Sequence, residues 1–141
     1  MAVRIVETTG PGETESLGAD LAGSLREGDV VLVQGELGAG KTTLVRGAAR
    51  ALGVTDPVTS PSFSIGHRYR GGLVTVSHLD LYRLQALEHE DPGLLCDYLG
   101  PGRIAFVEWP RGAREALSGV RLSVALAHRG ADRRRIEVSD R

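Results

Sequence analysis

The sequence has few of the features that are typical of secreted or membrane proteins. Its 141 residues include one cysteine, Cys96, so an internal disulfide is excluded and a reducing compartment is favoured. No apolar run approaches the roughly 20 residues that cross a membrane, and the first ten residues lack the apolar core of a signal peptide. We therefore expect a cytoplasmic protein with no membrane partner.

An excess of basic charge is also missing. The formal net charge is -1, so no global positive field indicates direct binding to nucleic acid. Any connection with RNA would then require a local patch or a partner protein. The 41% hydrophobic and 25% charged content is ordinary for a globular protein, and the length predicts a single domain over residues 1–141.

Lysine is nearly absent, and its one occurrence lies in a motif. Of the seventeen basic residues sixteen are arginine, and the only lysine is Lys41. It belongs to Gly35-Glu36-Leu37-Gly38-Ala39-Gly40-Lys41-Thr42, a full match to G-x-x-x-x-G-K-[ST]. The apolar run 30–33 precedes the motif, and apolar residues at helical spacing follow it over 44–52. This strand, loop and helix context predicts a phosphate-binding loop.

The residue types in this motif suit a polyphosphate. Gly35, Gly38 and Gly40 lack Cβ atoms, so the backbone can adopt positive φ and turn successive N–H groups inward. The helix N-terminus near Lys41 adds a partial positive charge. In this arrangement Lys41 reaches the β- and γ-phosphates, and the hydroxyl of Thr42 binds Mg²⁺.

Two carboxylates stand where predicted strands end. One strand runs into His78 and Asp80, and the buried run 104–107 ends in Glu108. A carboxylate at this edge of an α/β sheet faces the ligand crevice. Glu108 has the Walker B position of a metal ligand, and Asp80 can bind Mg²⁺ or orient an attacking water. The structural alternatives are a strand-end charge for Glu108, a helix cap for Asp80, and an ordinary hydrogen-bonding role for His78.

Hydroxyl side chains supply two further candidates. Ser60 and Ser62 flank a proline about twenty residues beyond Lys41, where switch segments place a hydroxyl near the metal and the γ-phosphate. An ordinary turn is equally consistent with these residues. Thr14 is predicted to cap a helix, which we favour over contact with a nucleotide.

The remaining segments predict a mixed sheet. Val3 and Ile5 indicate an edge strand, and leucines four residues apart predict a helix over 13–26 that stops at Gly28. Gly71-Gly72 predicts a hairpin that joins 63–70 to 73–76 in antiparallel orientation. Two alternating strands follow at 120–127 and 134–138, and they carry an arginine cluster that fits either a phosphate or acidic partner or an exposed sheet edge.

Missing motifs narrow the class of phosphate-loop protein. The sequence has no N-K-x-D motif for guanine and no ABC-type signature, and it has no room for a second helicase lobe. It also shows no clear arginine-rich lid or acceptor pocket of a small-molecule kinase. A kinase and a nucleotide-sensing binding module nevertheless stay open as alternatives to an ATPase.

Four motifs together resemble the TsaE family, also called YjeE, whose members are small bacterial ATPases needed for threonylcarbamoyl modification of tRNA. They are G-E-L-G-A-G-K-T-T-L from Gly35, S-P-S-F from Ser60, H-L-D-L-Y-R-L from His78 and V-E-W-P from Val107. The resemblance covers about residues 13–110. Ser62 replaces the usual threonine, Arg111 replaces a frequent acidic residue, and 85–97 matches poorly.

The resemblance implies a P-loop NTPase-like, three-layer α/β domain with a mixed, mostly parallel central sheet. It implies that ATP or ADP and Mg²⁺ bind at the loop, that Asp80 assists hydrolysis, and that Ser60 and Ser62 act as a switch. It also implies weak hydrolysis that depends on TsaD-like and TsaB-like partners, with tRNA reached only through that complex. For Trp109, packing is favoured over stacking on a base or closing the crevice. The residues assigned to the nucleotide and the metal are Gly35, Gly38, Ala39, Gly40, Lys41, Thr42, Thr43 and Glu108.

Overall fold

The structure is a computed structural model that describes residues 3–36, 38–59, 66–72, 74–80, 99, 101–108 and 120–140. Two helices and seven strands occur in these ranges. They are β1 (Val3–Thr8), α1 (Pro11–Ala22), β2 (Val30–Gly35), α2 (Lys41–Ala51), β3 (Gly66–Arg70), β4 (Thr75–Asp80), β5 (Arg103–Glu108), β6 (Val120–His128) and β7 (Arg134–Asp140).

The described strands form one mixed sheet in the order β1-β7-β6-β2-β5-β4-β3. The central neighbours β6, β2, β5 and β4 are parallel, whereas β1, β7 and β3 join the sheet through antiparallel pairs. Five of the seven strands therefore point the same way, as the sequence predicted. The predicted antiparallel pairing of β3 and β4 is confirmed. The connection is longer than the predicted Gly71-Gly72 turn, because Arg70 pairs with Thr75 and the Gly71 N–H donates to the Val74 carbonyl at 2.9 Å.

The centre of the sheet is covered on both faces. Each residue from Val30 to Val33 and from Ile104 to Val107 is at most 3% exposed, although successive side chains of a strand point to opposite faces. Helices α1 and α2 pack on each other and cover the face that carries Val33 and Phe106. Burial on both faces is the property of a three-layer α/β domain, which confirms the predicted fold class.

The start of α1 differs from the prediction. The helix begins at Pro11 rather than Glu13, because proline fits the first helical position, where no N–H donor is needed. Gly10 is the N-cap residue, so the predicted cap at Thr14 is wrong. The Glu13 carboxylate instead accepts the Thr9 hydroxyl at 2.6 Å and the Thr9 N–H at 3.1 Å. These two hydrogen bonds, the hydroxyl first, lower the pKa of the Glu13 carboxyl.

The end of α1 also differs from the prediction. The helix stops at Ala22, and single-turn hydrogen bonds continue from Ser24 N–H to Leu21 and from Leu25 N–H to Ala22. The regular leucine spacing thus marks buried positions and does not give the length of the helix. Leu25 is only 9% exposed, although it lies beyond the end of the helix. Gly28 has φ +90° and lies in the turn that leads into β2.

Two glycines let α1 and α2 approach each other closely. A Cβ on Gly18 of α1 would lie 2.1 Å from the Leu44 carbonyl oxygen of α2. A Cβ on Gly47 of α2 would lie 2.0 Å from the Glu15 carbonyl oxygen of α1. The helix that follows the phosphate loop is therefore held backbone to backbone, and its position depends on both glycines.

No helix in the described ranges is long and apolar enough to cross a membrane.

Candidate nucleotide site

The glycine-rich motif connects β2 to α2 by a tight loop. Gly38 and Gly40 have φ of +80° and +99°, a region that residues with a side chain rarely adopt. Gly35 is required by close approach, because a Cβ there would lie 2.6 Å from the Leu126 carbonyl oxygen on the neighbouring strand β6. The Ala39 N–H donates to the Glu36 carbonyl at 3.0 Å and closes the turn. The described glycines of the loop thus have the backbone conformations and the close approach that need glycine.

The loop delivers the N-terminus of α2 to the surface. Gly40 is the N-cap residue and provides no side-chain cap, and the first helical hydrogen bond runs from Leu44 N–H to Gly40 at 2.9 Å. The N–H groups of Lys41, Thr42 and Thr43 precede this bond, so they lack acceptors within the helix. Such donors at a positive helix end are the groups that bind phosphate oxygens.

Lys41 lies over this loop. Its ammonium donates a hydrogen bond of 2.6 Å to the Gly35 carbonyl, which brings the positive charge to the point where β2 ends. Thr42 and Thr43 are partly buried, and Ala39 is buried beneath the loop. All predicted nucleotide-binding residues therefore lie at one end of β2.

The two predicted carboxylates lie at the same end of the sheet. In the parallel ladders Asp80 is the direct partner of Glu108, and Glu108 is the direct partner of Val33. Direct partners point to the same face, and Val33 belongs to the core beneath α2. Glu108 and Asp80 are thus placed side by side on the α2 face, next to the strand that enters the phosphate loop.

Glu108 has a buried neighbour, His78, for which the sequence predicted only an ordinary hydrogen-bonding role. His78 is fully buried, and its Nε2 lies 3.5 Å from Oε2 of Glu108, whose side chain is 8% exposed. Neither ring nitrogen of His78 has a hydrogen-bond partner within the described part of the chain. The alternation of side chains along β4 could have placed His78 at this site, because His78 and Asp80 share a face.

An arginine from β7, which lies two strands away from β2 in the sheet, also contacts the loop. Arg134, the first residue of β7, donates hydrogen bonds of 3.1 Å to the carbonyl oxygens of Gly38 and Ala39. The sequence predicted only an arginine cluster with two possible roles. The alternation of side chains along β7 distinguishes these arginines. Arg134 lies on the same face as buried Ile136 and Val138, whereas Arg135 lies on the opposite face.

Thr14 lies next to the loop although it caps no helix. Its hydroxyl is buried and forms a 2.8 Å hydrogen bond with the hydroxyl of Thr8. A small cleft opens here between the start of α1 and the turn before β7. The cleft is lined by Gly10, Pro11, Thr14, Gly40, Thr43, Asp132 and Arg134. Contact between Thr14 and a nucleotide, the alternative that the sequence left open, is not tested by this geometry.

The predicted switch residues Ser60 and Ser62 lie outside the described residues, as does Trp109. The residues that lead into the switch segment are anchored. Val58 is buried, and its carbonyl accepts a hydrogen bond from Arg46 of α2 at 3.2 Å, while the Thr59 N–H donates to the Tyr69 hydroxyl at 3.3 Å. The segment therefore starts from a fixed point beside the helix that carries Lys41.

The family is decided by comparison with known proteins. The family model described as threonylcarbamoyl adenosine biosynthesis protein TsaE matches residues 8–136. The chain belongs to the TsaE family. This confirms the resemblance seen in the four motifs, and the matched region extends through β6 into β7, so it includes Thr14 and Arg134.

Individual TsaE proteins give the same result. The chain is 39% identical to the tRNA threonylcarbamoyladenosine biosynthesis protein TsaE of Bacillus subtilis over 129 residues, which cover 92% of this chain and 80% of that protein. It is 44% identical to the Synechocystis TsaE over 107 residues, which cover 69% and 64% respectively. The crystal structure of Bacillus subtilis YdiB matches with a TM-score of 0.75 and 30% identity, over 99% of this chain and 86% of that one. Homologues of this TsaE-family chain are thus proteins of tRNA threonylcarbamoyladenosine biosynthesis.

Proposed function

We propose that this TsaE-family protein is a Mg²⁺-dependent ATPase whose nucleotide state regulates the machinery of threonylcarbamoyl modification of tRNA. One observation carries the proposal. A loop with the phosphate-binding motif lies at the same end of the sheet as two carboxylates, Asp80 and Glu108. The strands that carry these carboxylates neighbour one another. An ATPase needs these two elements together, because one binds the polyphosphate and the other serves the metal and the attacking water.

The loop residues bind the polyphosphate of ATP. The N–H groups at the start of α2 donate to phosphate oxygens, and the left-handed glycines allow the backbone to wrap them. Lys41 exchanges its bond to the Gly35 carbonyl for a charge-assisted bond to phosphate, which is the stronger of the two.

The donor set also fits Mg²⁺. No group of three or more His, Cys, Asp or Glu side chains forms a cage in the part of the chain that the structure describes. Mg²⁺ commonly uses one or two carboxylates together with phosphate oxygens, and Glu108 and the hydroxyl of Thr42 match that pattern. Bound there, Mg²⁺ would supply neutralisation of the charge on the β- and γ-phosphates.

Asp80 lies beside Glu108 and orients the water that hydrolyses ATP. The water oxygen bonds to the γ-phosphorus while the bond from that phosphorus to the β-γ bridging oxygen breaks. ADP and inorganic phosphate result, and the protons of the water end on the phosphate product. Asp80 accepts a hydrogen bond from the water in the course of the attack. Asp80 is partly exposed at the end of β4, so its carboxylate is accessible to such a water.

We further propose that partners read the state of the nucleotide. TsaD-like and TsaB-like proteins would bind near the segment with Ser60 and Ser62, which follows the anchor at Val58 and Thr59. A loop ordered by the γ-phosphate and released after hydrolysis is a two-state element that a partner surface can sense. Hydrolysis then resets the complex between turnovers. Because the pathway modifies tRNA, the proposed place of action is the cytoplasm.

A reconstituted modification assay tests this role. With purified partner proteins and tRNA in excess over the complex, Lys41→Ala is expected to stop modification after about one turnover, because the complex is not reset. Arg50→Ala is the matched control, since it removes an exposed cation from the opposite end of the same helix. If Lys41→Ala supported as many turnovers as the unchanged protein, the reset role would be wrong.

Measurement of phosphate release and of phosphate transfer separates the alternatives. A small-molecule kinase would transfer phosphate to an added acceptor instead of water. A nucleotide-sensing module would bind ATP without releasing phosphate. Asp80→Ala would then leave the rate of phosphate release unchanged, because there would be none. Phosphate release that requires Asp80 and no acceptor supports the ATPase.

A further inference from the structure

We propose that Arg134 is a positioning residue that clamps the phosphate loop to the turn between β6 and β7. The proposal rests on the proposed nucleotide binding and goes beyond it. It assigns the shape of the loop to a side chain that lies on another element, close to the other end of the sequence. Four hydrogen bonds of one guanidinium carry the inference.

The guanidinium joins two separate loops. On one side Nε donates to Ala39 and Nη2 donates to Gly38, both at 3.1 Å. On the other side Nη1 donates to the carbonyl oxygens of Ala131 and Arg133 at 3.1 and 2.9 Å. A planar fork with several fixed donors is suited to this bridging role, which a single ammonium cannot reproduce.

The clamp determines where the N–H groups of the loop point. Within a planar trans peptide the C=O and the N–H point in opposite directions, and no described peptide bond is cis. The Ala39 carbonyl is held against Arg134, so the N–H of Gly40 in the same peptide is directed away from it. Arg134 thus occupies the outer side of the loop and leaves the inner side for phosphate.

The loop needs such a constraint. Gly38, whose carbonyl is clamped, and Gly40, which follows the clamped carbonyls, both lie in the left-handed region, and glycine loses more conformational freedom on ordering than any other residue. Arg134 also lies against Gly40, where an added Cβ would be 3.8 Å from Nε. Holding the loop in one shape before ATP arrives removes an entropic cost from binding.

The anchor of the clamp is itself ordered. In the turn, the Arg129 N–H donates to Arg133 at 3.0 Å, and the Arg133 N–H donates to Gly130 at 2.9 Å. Arg134 is paired on both sides, with Thr8 of β1 and His128 of β6. No described carboxylate forms an ion pair with Arg134, so its positive charge stays beside the loop.

The experiment measures binding of Mg²⁺–ADP by calorimetry and, separately, thermal unfolding without nucleotide. Arg134→Gln is expected to raise the dissociation constant about tenfold, because the loop loses its outer partner. The melting temperature is expected to stay within a few degrees of the original value. Arg129→Gln removes the same charge from an exposed position of the same turn, and it is expected to leave the dissociation constant unchanged.

Two further variants distinguish positioning from charge and from folding. Arg134→Lys keeps the charge without the fork, so it is expected to bind as weakly as Arg134→Gln. For Arg134→Ala, millimolar methylguanidinium is expected to restore most of the affinity, which a loss of folding would not permit. Rescue by lysine, or no effect of methylguanidinium on a weakened Arg134→Ala, would overturn the clamp.

The outcomes also separate the clamp from the proposed function. If the unchanged protein binds Mg²⁺–ADP and Arg134→Gln binds it equally well, the clamp is wrong and the nucleotide site stands. If the unchanged protein does not bind the nucleotide, both proposals are wrong.

Discussion

Lys41→Ala is expected to weaken the binding of Mg²⁺–ATP about 100-fold, which corresponds to about 2.7 kcal/mol. Lys41 is the only lysine of the chain, and its ammonium lies 2.6 Å from the Gly35 carbonyl at the entrance of the loop. The substitution removes a charge-assisted contact with phosphate and leaves the fold intact, because the side chain is partly exposed. Calorimetric titration with a non-hydrolysable ATP analogue measures the change.

Lys41→Arg tests why this arginine-rich chain has a lysine here. The guanidinium is larger and planar, and it cannot take the ammonium's place so close to the Gly35 carbonyl. We expect about tenfold weaker binding, although the charge is kept. Unchanged affinity in Lys41→Ala would contradict the phosphate-loop assignment, and unchanged affinity in Lys41→Arg would contradict the steric argument.

Gly18→Ala is expected to destabilise the protein by about 3 kcal/mol or more and to lower the melting temperature by roughly 10 °C. The new Cβ would lie 2.1 Å from the Leu44 carbonyl oxygen, so α1 and α2 have to separate. Backbone atoms form this contact, and they cannot move aside as a flexible side chain can. Thermal and urea unfolding measure the loss.

Gly12→Ala is the matched control in the same helix. An added Cβ at Gly12 meets nothing within 4 Å, and alanine is the better helix former. We expect a stability that is equal to or up to about 1 kcal/mol above that of the unchanged protein. Equal melting temperatures for the Gly12 and Gly18 variants would show that the close crossing of the two helices is wrong.

The phosphate loop was predictable because its determinants are contiguous in the chain. An apolar run, a glycine motif and a helical pattern follow one another from Val30 to Ala51, and each has a local physical meaning. The placement of Asp80 and Glu108 was predictable in a weaker sense. The sequence showed that each ends a strand, and a general rule about strand ends suggested that they face one crevice. That they are direct partners follows only from the strand order.

Contacts between distant segments could not be predicted from local pattern. The bridge from Arg134 to Gly38 depends on β7 lying beside β6. The sequence grouped Arg134 with Arg129, Arg133 and Arg135 and did not distinguish among them. The close approach of Gly18 and Gly47 to the facing helix depends on how α1 crosses α2. The sequence around a glycine in a helix does not indicate which atoms lie opposite that glycine in the folded protein.

The wrong predictions about α1 have two different causes. Leu25 continued the leucine spacing of α1, but it is buried by a turn after the helix has ended. Thr14 was predicted as a cap from its residue type, while Gly10 caps the helix and Thr14 pairs with the hydroxyl of Thr8. For Leu25 tertiary burial overrode the helical pattern, whereas for Thr14 the proline at the first helical position placed the start of the helix upstream.

The rate of ATP hydrolysis by the purified protein with Mg²⁺, alone and with the TsaB and TsaD homologues of the same organism, decides whether the protein is a partner-regulated ATPase. Glu108→Gln and Lys41→Ala serve as the variants without the proposed metal ligand and without the proposed phosphate contact. We predict a low rate that rises with the partners and is lost in both variants. A rate indifferent to the partners, or one that persists in Glu108→Gln, would contradict a partner-regulated ATPase.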